Sequence, residues 1–427
     1  MSVHTIIAVP GEVTDMASIR ISKIFLVVTA AFVLGSIIRI AWVYGRPPQL
    51  TWDEPVFSDL ATNIAHGAGF RFTNDTYDTA IGGRPTSFEE PVWPFILACS
   101  YFVFGQFNLL AARLVQALIS SLTIIVSYHI GARLSGRTIG AVLAIITAVY
   151  PPFRYFSGLL MSETIYILLS ACAILFIVQA NISRNAKYCI LSGVMFGLAC
   201  LTRTVFLFLV PCMILFYIAR FKNLKSRIST ASIVVIFLII TIAPWSIRNY
   251  VVHHRFVPIT TKIGYNLYFY NYPSPDVQFF DRQVPIPVLY SLNESVRNDQ
   301  LQSMAVHLIS DSPYKRLYVT EKLIDFWNPI PSQHQGLFVV VSILSLGGLL
   351  CLAIISVGVS LFDRKHLRFI LLMCSMTIIY MAIAAVFFGG QRARLPVEYL
   401  LLLSTIPVVE KIVVLLRLTD REHVPST

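Results

Sequence analysis

The chain has 427 residues, of which 56% are apolar and only 13% are charged, and its mean hydropathy is +0.71. This composition excludes an ordinary water-soluble enzyme, in which about a quarter of the residues are charged, and it also excludes a disordered tail protein and a disulfide-stabilised scaffold. Lysine and arginine outnumber aspartate and glutamate by 33 to 22, a net charge of +11, and because most of this excess lies beside apolar segments we expect a membrane as the partner and no nucleic acid.

Uncharged runs of about 20 residues, long enough to cross a bilayer as a helix, recur along the chain. They are continuously apolar and do not alternate with polar residues, which disfavours a β-barrel. We therefore expect an all-α polytopic membrane protein with about ten transmembrane helices. The predicted spans are 24–44, 109–132, 138–151, 164–180, 188–201, 204–219, 229–247, 337–362, 369–388 and 395–416.

A short apolar segment at 92–105 decides the orientation of these spans. If this segment does not cross, six clusters of basic residues in short loops all fall on the cytoplasmic side. Pro91 and Pro94 interrupt its start, and it is shorter than a span requires, so we expect a half-buried or re-entrant helix there.

This orientation places both termini in the cytoplasm and two long polar stretches outside the membrane. The predicted regions are a cytoplasmic N-terminus at 1–23, a transmembrane core at 24–247 that includes the first outer loop at 45–91, a second outer loop with short helices at 248–336, C-terminal transmembrane helices at 337–416 and a cytoplasmic tail at 417–427.

The outer loops carry most of the acidic residues, whereas the spans carry almost none, which favours chemistry at the outer surface. Asp53 and Glu54 follow the first span closely. Poor solvation there raises the pKa of a carboxylate toward that of a general base, so both residues are candidate catalytic groups. The alternative is that one of them only caps a short interfacial helix, because Pro55 suits a helix start.

Four arginines lie at outer positions, where basic residues are disfavoured: Arg203, Arg248, Arg392 and Arg394. Arginine recognises phosphate through two parallel hydrogen bonds, although such a side chain also extends to lipid head groups without a further role. Glu163 begins a span, where it either stabilises the helix N-terminus or contacts a substrate. Together with the acidic pair, these residues favour a site for an anionic substrate with a lipid tail.

Motifs for other chemistry are missing from the sequence. It has no glycine-rich phosphate loop, nucleophile elbow or HExxH motif, so nucleotide hydrolysis is not indicated. His253 and His254 have no third ligand in the pattern and do not predict a metal site. The seven cysteines lie in apolar segments, where they are typical of small buried side chains. No cofactor is indicated, and the use of a divalent metal ion is left open.

Eight short motifs follow one another along the chain. They are Asp53-Glu54-x-x-Phe57, Gly67-x-Gly69, Pro91-Val92-Trp93-Pro94, Ala112-Arg113-Leu114, Ser162-Glu163-Thr164, Leu201-Thr202-Arg203, Ala243-Pro244-Trp245-x-x-Arg248-Asn249 and Arg394-Leu395-Pro396-Val397-Glu398. In their order, and in the side of the membrane predicted for each, these motifs resemble those of the membrane-embedded GT-C glycosyltransferases, specifically the protein O-mannosyltransferase-like superfamily. The resemblance covers residues 24 to about 400.

The resemblance implies a GT-C helix bundle that transfers a sugar, with inversion, from a dolichyl- or undecaprenyl-phosphate donor to a protein, lipid or glycan acceptor. It also implies a location in a bacterial inner membrane with the site facing the periplasm. Asp53 matches the family's base, with Glu54 beside it, and Glu163 matches a position that orients acceptor or sugar. The basic residues that hold the lipid phosphate in the family match Arg248, Arg392 and Arg394.

Two other functions compete with glycosyl transfer. A transporter or flippase of lipid-linked sugars predicts related halves and polar residues on both sides of the membrane centre, and the sequence shows neither. A receptor or assembly protein would use the second outer loop, rich in tyrosine and proline, as a binding surface. The enzyme hypothesis alone requires Asp53, Glu163 and Arg394 to lie within about one sugar length of each other.

Overall fold

The computed structural model describes residues 10–75, 81–183, 185–219, 223–272, 293–311, 315–329 and 337–422. Over these residues the regular secondary structure is helical, and β-structure is limited to isolated bridges that join Arg71 to Pro85 and Phe72 to Gly82. The prediction of an all-α protein is confirmed. The proline-rich part of the predicted second outer loop, at 273–292, lies outside the described residues.

Long apolar helices and shorter helices make up the described chain. In chain order they are α1 (Pro10–Tyr44), α2 (Glu54–Ala65), α3 (Val92–Phe104), α4 (Leu109–Ser135), α5 (Arg137–Val149), α6 (Pro151–Ser157), α7 (Glu163–Ser183), α8 (Ala186–Cys200), a 3-10 helix (Thr204–Phe208), α9 (Val210–Ile218), α10 (Leu224–His253), α11 (Lys262–Asn271), α12 (Glu294–Asp311), α13 (Lys315–Trp327), α14 (Leu337–Asp363), α15 (Leu367–Val386), α16 (Gln391–Ser404) and α17 (Ile406–Glu422).

Seven stretches of the described helices are long and apolar enough to cross a membrane, so the protein is an integral, multi-pass membrane protein. They are Lys23–Tyr44, Leu109–Ser135, Glu163–Ser183, Leu224–His253, Val339–Asp363, Leu367–Val386 and the α16–α17 stretch Arg392–Leu416. The remaining predicted spans correspond to shorter pieces, namely the bent pair α5–α6, the helix α8, and the 3-10 helix with α9. The number of about ten spans therefore stays a prediction.

A proline pair breaks the chain between α5 and α6, which meet at 54°. Pro151 and Pro152 lack the N–H groups that would bond to the carbonyls of Thr147 and Ala148, four residues earlier. The buried guanidinium group of Arg39 donates to both of these carbonyls at 3.0 Å and replaces the missing donors. The break is thus stable, and α6 runs toward the first outer loop.

Ser87 joins the two outer loops. Its hydroxyl group lies 2.7 Å from Asn249 Oδ1 and 2.8 Å from His253 Nε2, and its N–H donates to Glu294 Oε1 at 3.0 Å. These contacts explain why α10 continues to His253, beyond the predicted end of the span at 247. The end of α10 and the start of α12 therefore hold the first loop in place.

A glycine sets the position of α11 on α12. The Gly264 N–H donates to Asn298 Oδ1 at 2.8 Å, and a Cβ atom at Gly264 would collide with the Asn298 carbonyl oxygen. Only glycine permits this close approach, which fixes the position of α11 on α12.

Candidate functional site

A cavity of about 770 Å³ lies where the two predicted outer loops and the C-terminal helices meet. Part of its wall carries charged side chains, those of Asp53, Glu89, Glu90, Arg203, Lys262 and Arg392. Another part is apolar and includes Val205, Phe208, Leu346, Ile383 and Phe387. Such a wall suits a ligand that has both a polar and an apolar part.

Four of the predicted site residues meet at the charged part of the cavity. Arg392 forms ion pairs with both Asp53 and Glu163. Arg203 Nη1 lies 2.6 Å from the same Glu163 oxygen. Two carboxylates and two guanidinium groups from four distant segments therefore alternate in one chain of contacts.

Asp53 starts α2, as the sequence predicts, but its side chain does not cap the helix. The carboxylate instead contacts Arg392 and remains 27% exposed. Trp52, immediately before it, has a φ angle of +55°, in the left-handed region that non-glycine residues rarely adopt. The capping alternative therefore does not describe Asp53, which lies on the cavity wall.

Glu163 occupies the first turn of α7 and is fully buried. Its Oε1 atom contacts Arg203 and Arg392, whereas its Oε2 atom has no hydrogen-bond partner among the described residues. A buried carboxylate requires opposite charge nearby, and two guanidinium groups supply it. Glu163 thus positions both arginines.

Glu54 lies next to Asp53 in sequence but points away from the cavity. It is fully buried, and it accepts hydrogen bonds from the N–H of Leu160 at 2.7 Å and from the N–H and hydroxyl of Thr51 at 2.8 Å. Arg113 Nη2 lies 3.4 Å away. These contacts fix the first loop to α4 and to the turn before α7, so the geometry gives Glu54 a positioning role.

Arg248 also points away from the cavity wall, and it supports the first outer loop. Its guanidinium group donates to the carbonyls of Thr86 at 2.6 Å and Phe70 at 3.1 Å, and to Ser87 Oγ at 2.9 Å. The same group lies 4.8 Å from the ring centroid of Trp245. Both Nη atoms thus have partners within the protein.

Arg394 lines the cavity but is only 6% exposed. Its Nε atom donates to Glu398 at 2.6 Å, and its Nη1 atom donates to the carbonyls of Phe326 and Asn328 at 2.8 Å. These bonds tie the end of α13 to α16. Of the four predicted arginines, Arg203 and Arg392 therefore have the geometry that best suits contact with a ligand.

Lys262 and Glu89 form an ion pair on the cavity wall that sequence reasoning missed. Burial raises the pKa of the Glu89 carboxyl group to about 7, although the Lys262 ammonium group opposes this shift. Burial also disfavours the charged form of Lys262, but the carboxylates of Glu89 and Asp53 outweigh that effect and raise its pKa. The sequence held one signal for this pair, because Lys262 is another basic residue on the predicted outer side.

The described residues contain no group of three or more histidine, cysteine, aspartate and glutamate side chains arranged to hold a metal ion. His253, one of the adjacent histidines, contacts Ser87 instead. The prediction of a divalent metal ion was left open, and it receives no support from these side chains.

Part of the chain matches a known protein family. Residues 84–247 match the family model described as dolichyl-phosphate-mannose-protein mannosyltransferase. A comparison with curated protein sequences finds no match. This family match, together with the fold shared with the solved structures of the next paragraph, confirms the resemblance to GT-C glycosyltransferases.

Two solved structures of an archaeal oligosaccharyltransferase from Archaeoglobus fulgidus have the same fold. The AglB complex with an inhibitory peptide and a dolichol-phosphate has a TM-score of 0.57 and 14% identity, over 94% of this chain and 52% of that chain. The apo form has a TM-score of 0.57 and 16% identity, over 92% and 52%. The present chain thus spans about half the length of these proteins. ArnT from Cupriavidus metallidurans bound to undecaprenyl phosphate gives a TM-score of 0.47 and 13% identity, over 91% and 78%.

Proposed function

We propose that this chain, which has the fold of a GT-C glycosyltransferase, transfers a sugar from a polyprenyl phosphate to a hydroxyl or amide group of an acceptor. The observation that carries the proposal is the position of Asp53, a partly exposed carboxylate paired with Arg392, in a cavity whose wall continues as an apolar surface. A base, a cation for phosphate and an apolar surface for a lipid chain are what this reaction needs.

The family match supports the donor class. The description of the matched family names dolichyl-phosphate mannose. The AglB structure, which has the same fold, contains a dolichol-phosphate. In the present chain, Arg203 and Arg392 would hold the donor phosphate, while Arg248 and Arg394 support the loops around it. The acceptor is a protein, a lipid or a glycan, and the AglB complex contains a peptide.

The mechanism follows from these placements. Asp53 takes the proton of the acceptor as its oxygen or nitrogen atom attacks the anomeric carbon. The bond between this carbon and the phosphate oxygen breaks, and the polyprenyl phosphate leaves with inversion at the sugar. Such base catalysis contributes roughly 10²–10⁴-fold to the rate. Arg392 and Arg203 stabilise the negative charge that develops on the leaving phosphate.

We place the reaction at the periplasmic face of a bacterial inner membrane. The clusters of basic residues in the short loops support this orientation, because such clusters stay in the cytoplasm. The cavity then opens on the outer side, with both termini on the inner side.

The proposal is tested with the purified protein in detergent and a panel of polyprenyl-phosphate sugars, with release of the free lipid phosphate as the readout. We expect release with at least one donor, and a loss of at least 100-fold in Asp53→Asn. Asp299→Asn is the matched control, because Asp299 is 56% exposed on α12 and forms its ion pair with Arg255 at the surface. Wild-type rates in Asp53→Asn would exclude this residue as the base, and no release with any donor would contradict glycosyl transfer.

A further inference from the structure

Three residues on one face of α11 line the cavity: Lys262, Asn266 and Tyr270. Residues four apart lie above one another on a helix, so these side chains form a single row. The close contact at Gly264 fixes the rotation of α11 on α12 and therefore the direction of this row.

The two ends of the row contact the charged part of the cavity. Lys262 pairs with Glu89, and the carboxylate of Asp53 also stabilises its charged form. The hydroxyl group of Tyr270 is close enough to Asp53 and Arg392 that both influence its ionisation, although burial is the main cause of its raised pKa. Asn266 lies between them in the row and lines the same cavity as Asp53 and Arg392.

Asn266 is half-buried, and its side-chain amide has no hydrogen-bond partner among the described residues. Because Asn266 lines the cavity, its amide can form hydrogen bonds with a ligand that occupies this space. The amide offers one acceptor and two donors and carries no charge. The neighbouring charges are already matched, Lys262 by Glu89 and Arg392 by its two carboxylates.

We infer that the Asn266 amide binds hydroxyl groups of the transferred sugar and helps to select which sugar is used. An uncharged group that both donates and accepts is complementary to neighbouring hydroxyls of a sugar ring, whereas a phosphate would prefer the arginines. The sugar must lie between the leaving phosphate at Arg392 and the acceptor at Asp53, which is the space that Asn266 borders. This inference rests on the proposed function.

The test compares binding of two lipids to detergent-purified protein, a polyprenyl-phosphate sugar that the wild type uses and the same polyprenyl phosphate without sugar. In Asn266→Ala we expect affinity for the sugar-bearing lipid to fall about tenfold, and affinity for the bare lipid phosphate to stay within twofold. Asn266→Ser, which keeps a donor and an acceptor, should recover part of the loss. Gln300→Ala on the exposed surface of α12 is the matched control and should change neither affinity.

Equal loss for both lipids would overturn the inference, since it would indicate damage to the phosphate site or to the fold. Unchanged binding of both lipids in Asn266→Ala would also overturn it. In either case wild-type transfer of sugar would leave the proposed function standing. If the wild type neither bound nor used any sugar-bearing lipid, the proposed function would fail, and the role of Asn266 would fail with it.

Discussion

Arg392 forms an ion pair with Asp53 although 339 positions separate the two residues in the sequence. The same guanidinium group contacts Glu163, to which Arg203 supplies a second cation at 2.6 Å. If Arg392 turned toward an incoming phosphate, the buried Glu163 would still be paired. Asp53 would then lose its ion pair with Arg392 at the moment when the proposed reaction needs a base.

Replacement of Arg392 tests this relationship. In Arg392→Ala we expect kcat/KM for the lipid donor to fall by about 100-fold, because the phosphate loses a charge-assisted hydrogen-bond donor. The KM for the acceptor should stay within about twofold. Steady-state rates at varied donor and acceptor concentrations measure both effects. Arg255→Ala, at an exposed surface pair, is the control, and an equal rise in both KM values would contradict the assignment.

Arg394 is expected to behave differently from Arg392. Its buried guanidinium group pairs with Glu398 and holds the end of α13. Loss of one partner of a buried pair costs about 3–5 kcal/mol, so Arg394→Ala should lower the midpoint of thermal unfolding and reduce the use of donor and acceptor alike. Unchanged thermal stability with a defect in donor use alone would instead assign Arg394 to the phosphate, as the sequence predicts.

Replacement of Glu54 should lower the stability of the fold, whereas replacement of Asp53 should leave it nearly unchanged. Glu54→Gln replaces one of the two acceptor oxygens with an NH2 group, which must then face the N–H of either Leu160 or Thr51, and it leaves Arg113 without its carboxylate. We expect the free energy of unfolding to fall by about 2–4 kcal/mol. Asp53→Asn should change it by about 1 kcal/mol or less, because this pair is partly exposed. Denaturant unfolding of both variants measures the difference. An equal loss of stability in the two variants would contradict the positioning role of Glu54.

The raised pKa of Glu89 predicts a pH dependence of stability. Its pKa is about 7 in the folded protein, against an ordinary value of 4.5, with Lys262, Glu90 and Asp53 as the charged neighbours. The folded state therefore binds the proton more tightly, and this contribution to stability is complete below pH 4.5 and is lost as the pH rises through 7. The loss is on the order of 3 kcal/mol.

Thermal unfolding of wild type and Glu89→Gln between pH 5 and pH 8 measures this dependence. The wild type should lose more stability than the variant as the pH rises, because glutamine does not ionise. Glu321→Gln, which removes an exposed carboxylate on α13, should follow the wild type. Parallel curves for wild type and Glu89→Gln would show that Glu89 has an ordinary pKa.

The sequence predicted the helical class well because long apolar runs report directly on the membrane. The start of α2 at Asp53 and Glu54 also followed from local rules, since Pro55 suits the first turn. The end of α10 did not follow. Asn249 and His253 are polar but buried, and it is contact with Ser87, far away in sequence, that stabilises the last turn.

The candidate site was predictable only in part. Arg203, Arg248, Arg392 and Arg394 give the same signal in sequence, a basic residue on the outer side. Their difference lies in their partners within the described residues: backbone carbonyls hold Arg248 and Arg394, whereas carboxylates hold the guanidinium groups of Arg203 and Arg392. Those partners come from remote segments, and no local pattern reveals them. Lys262 was missed for the same reason, as its partner Glu89 precedes it by 173 positions.

The dependence of the site on α16 has a consequence for how the protein is made. Synthesis proceeds from the N-terminus, so Asp53 is made early and Arg392 is added 339 residues later. Chains that stop short of this helix lack one wall of the pocket and its central cation. Incomplete copies left in a membrane would therefore be unable to carry out the proposed transfer.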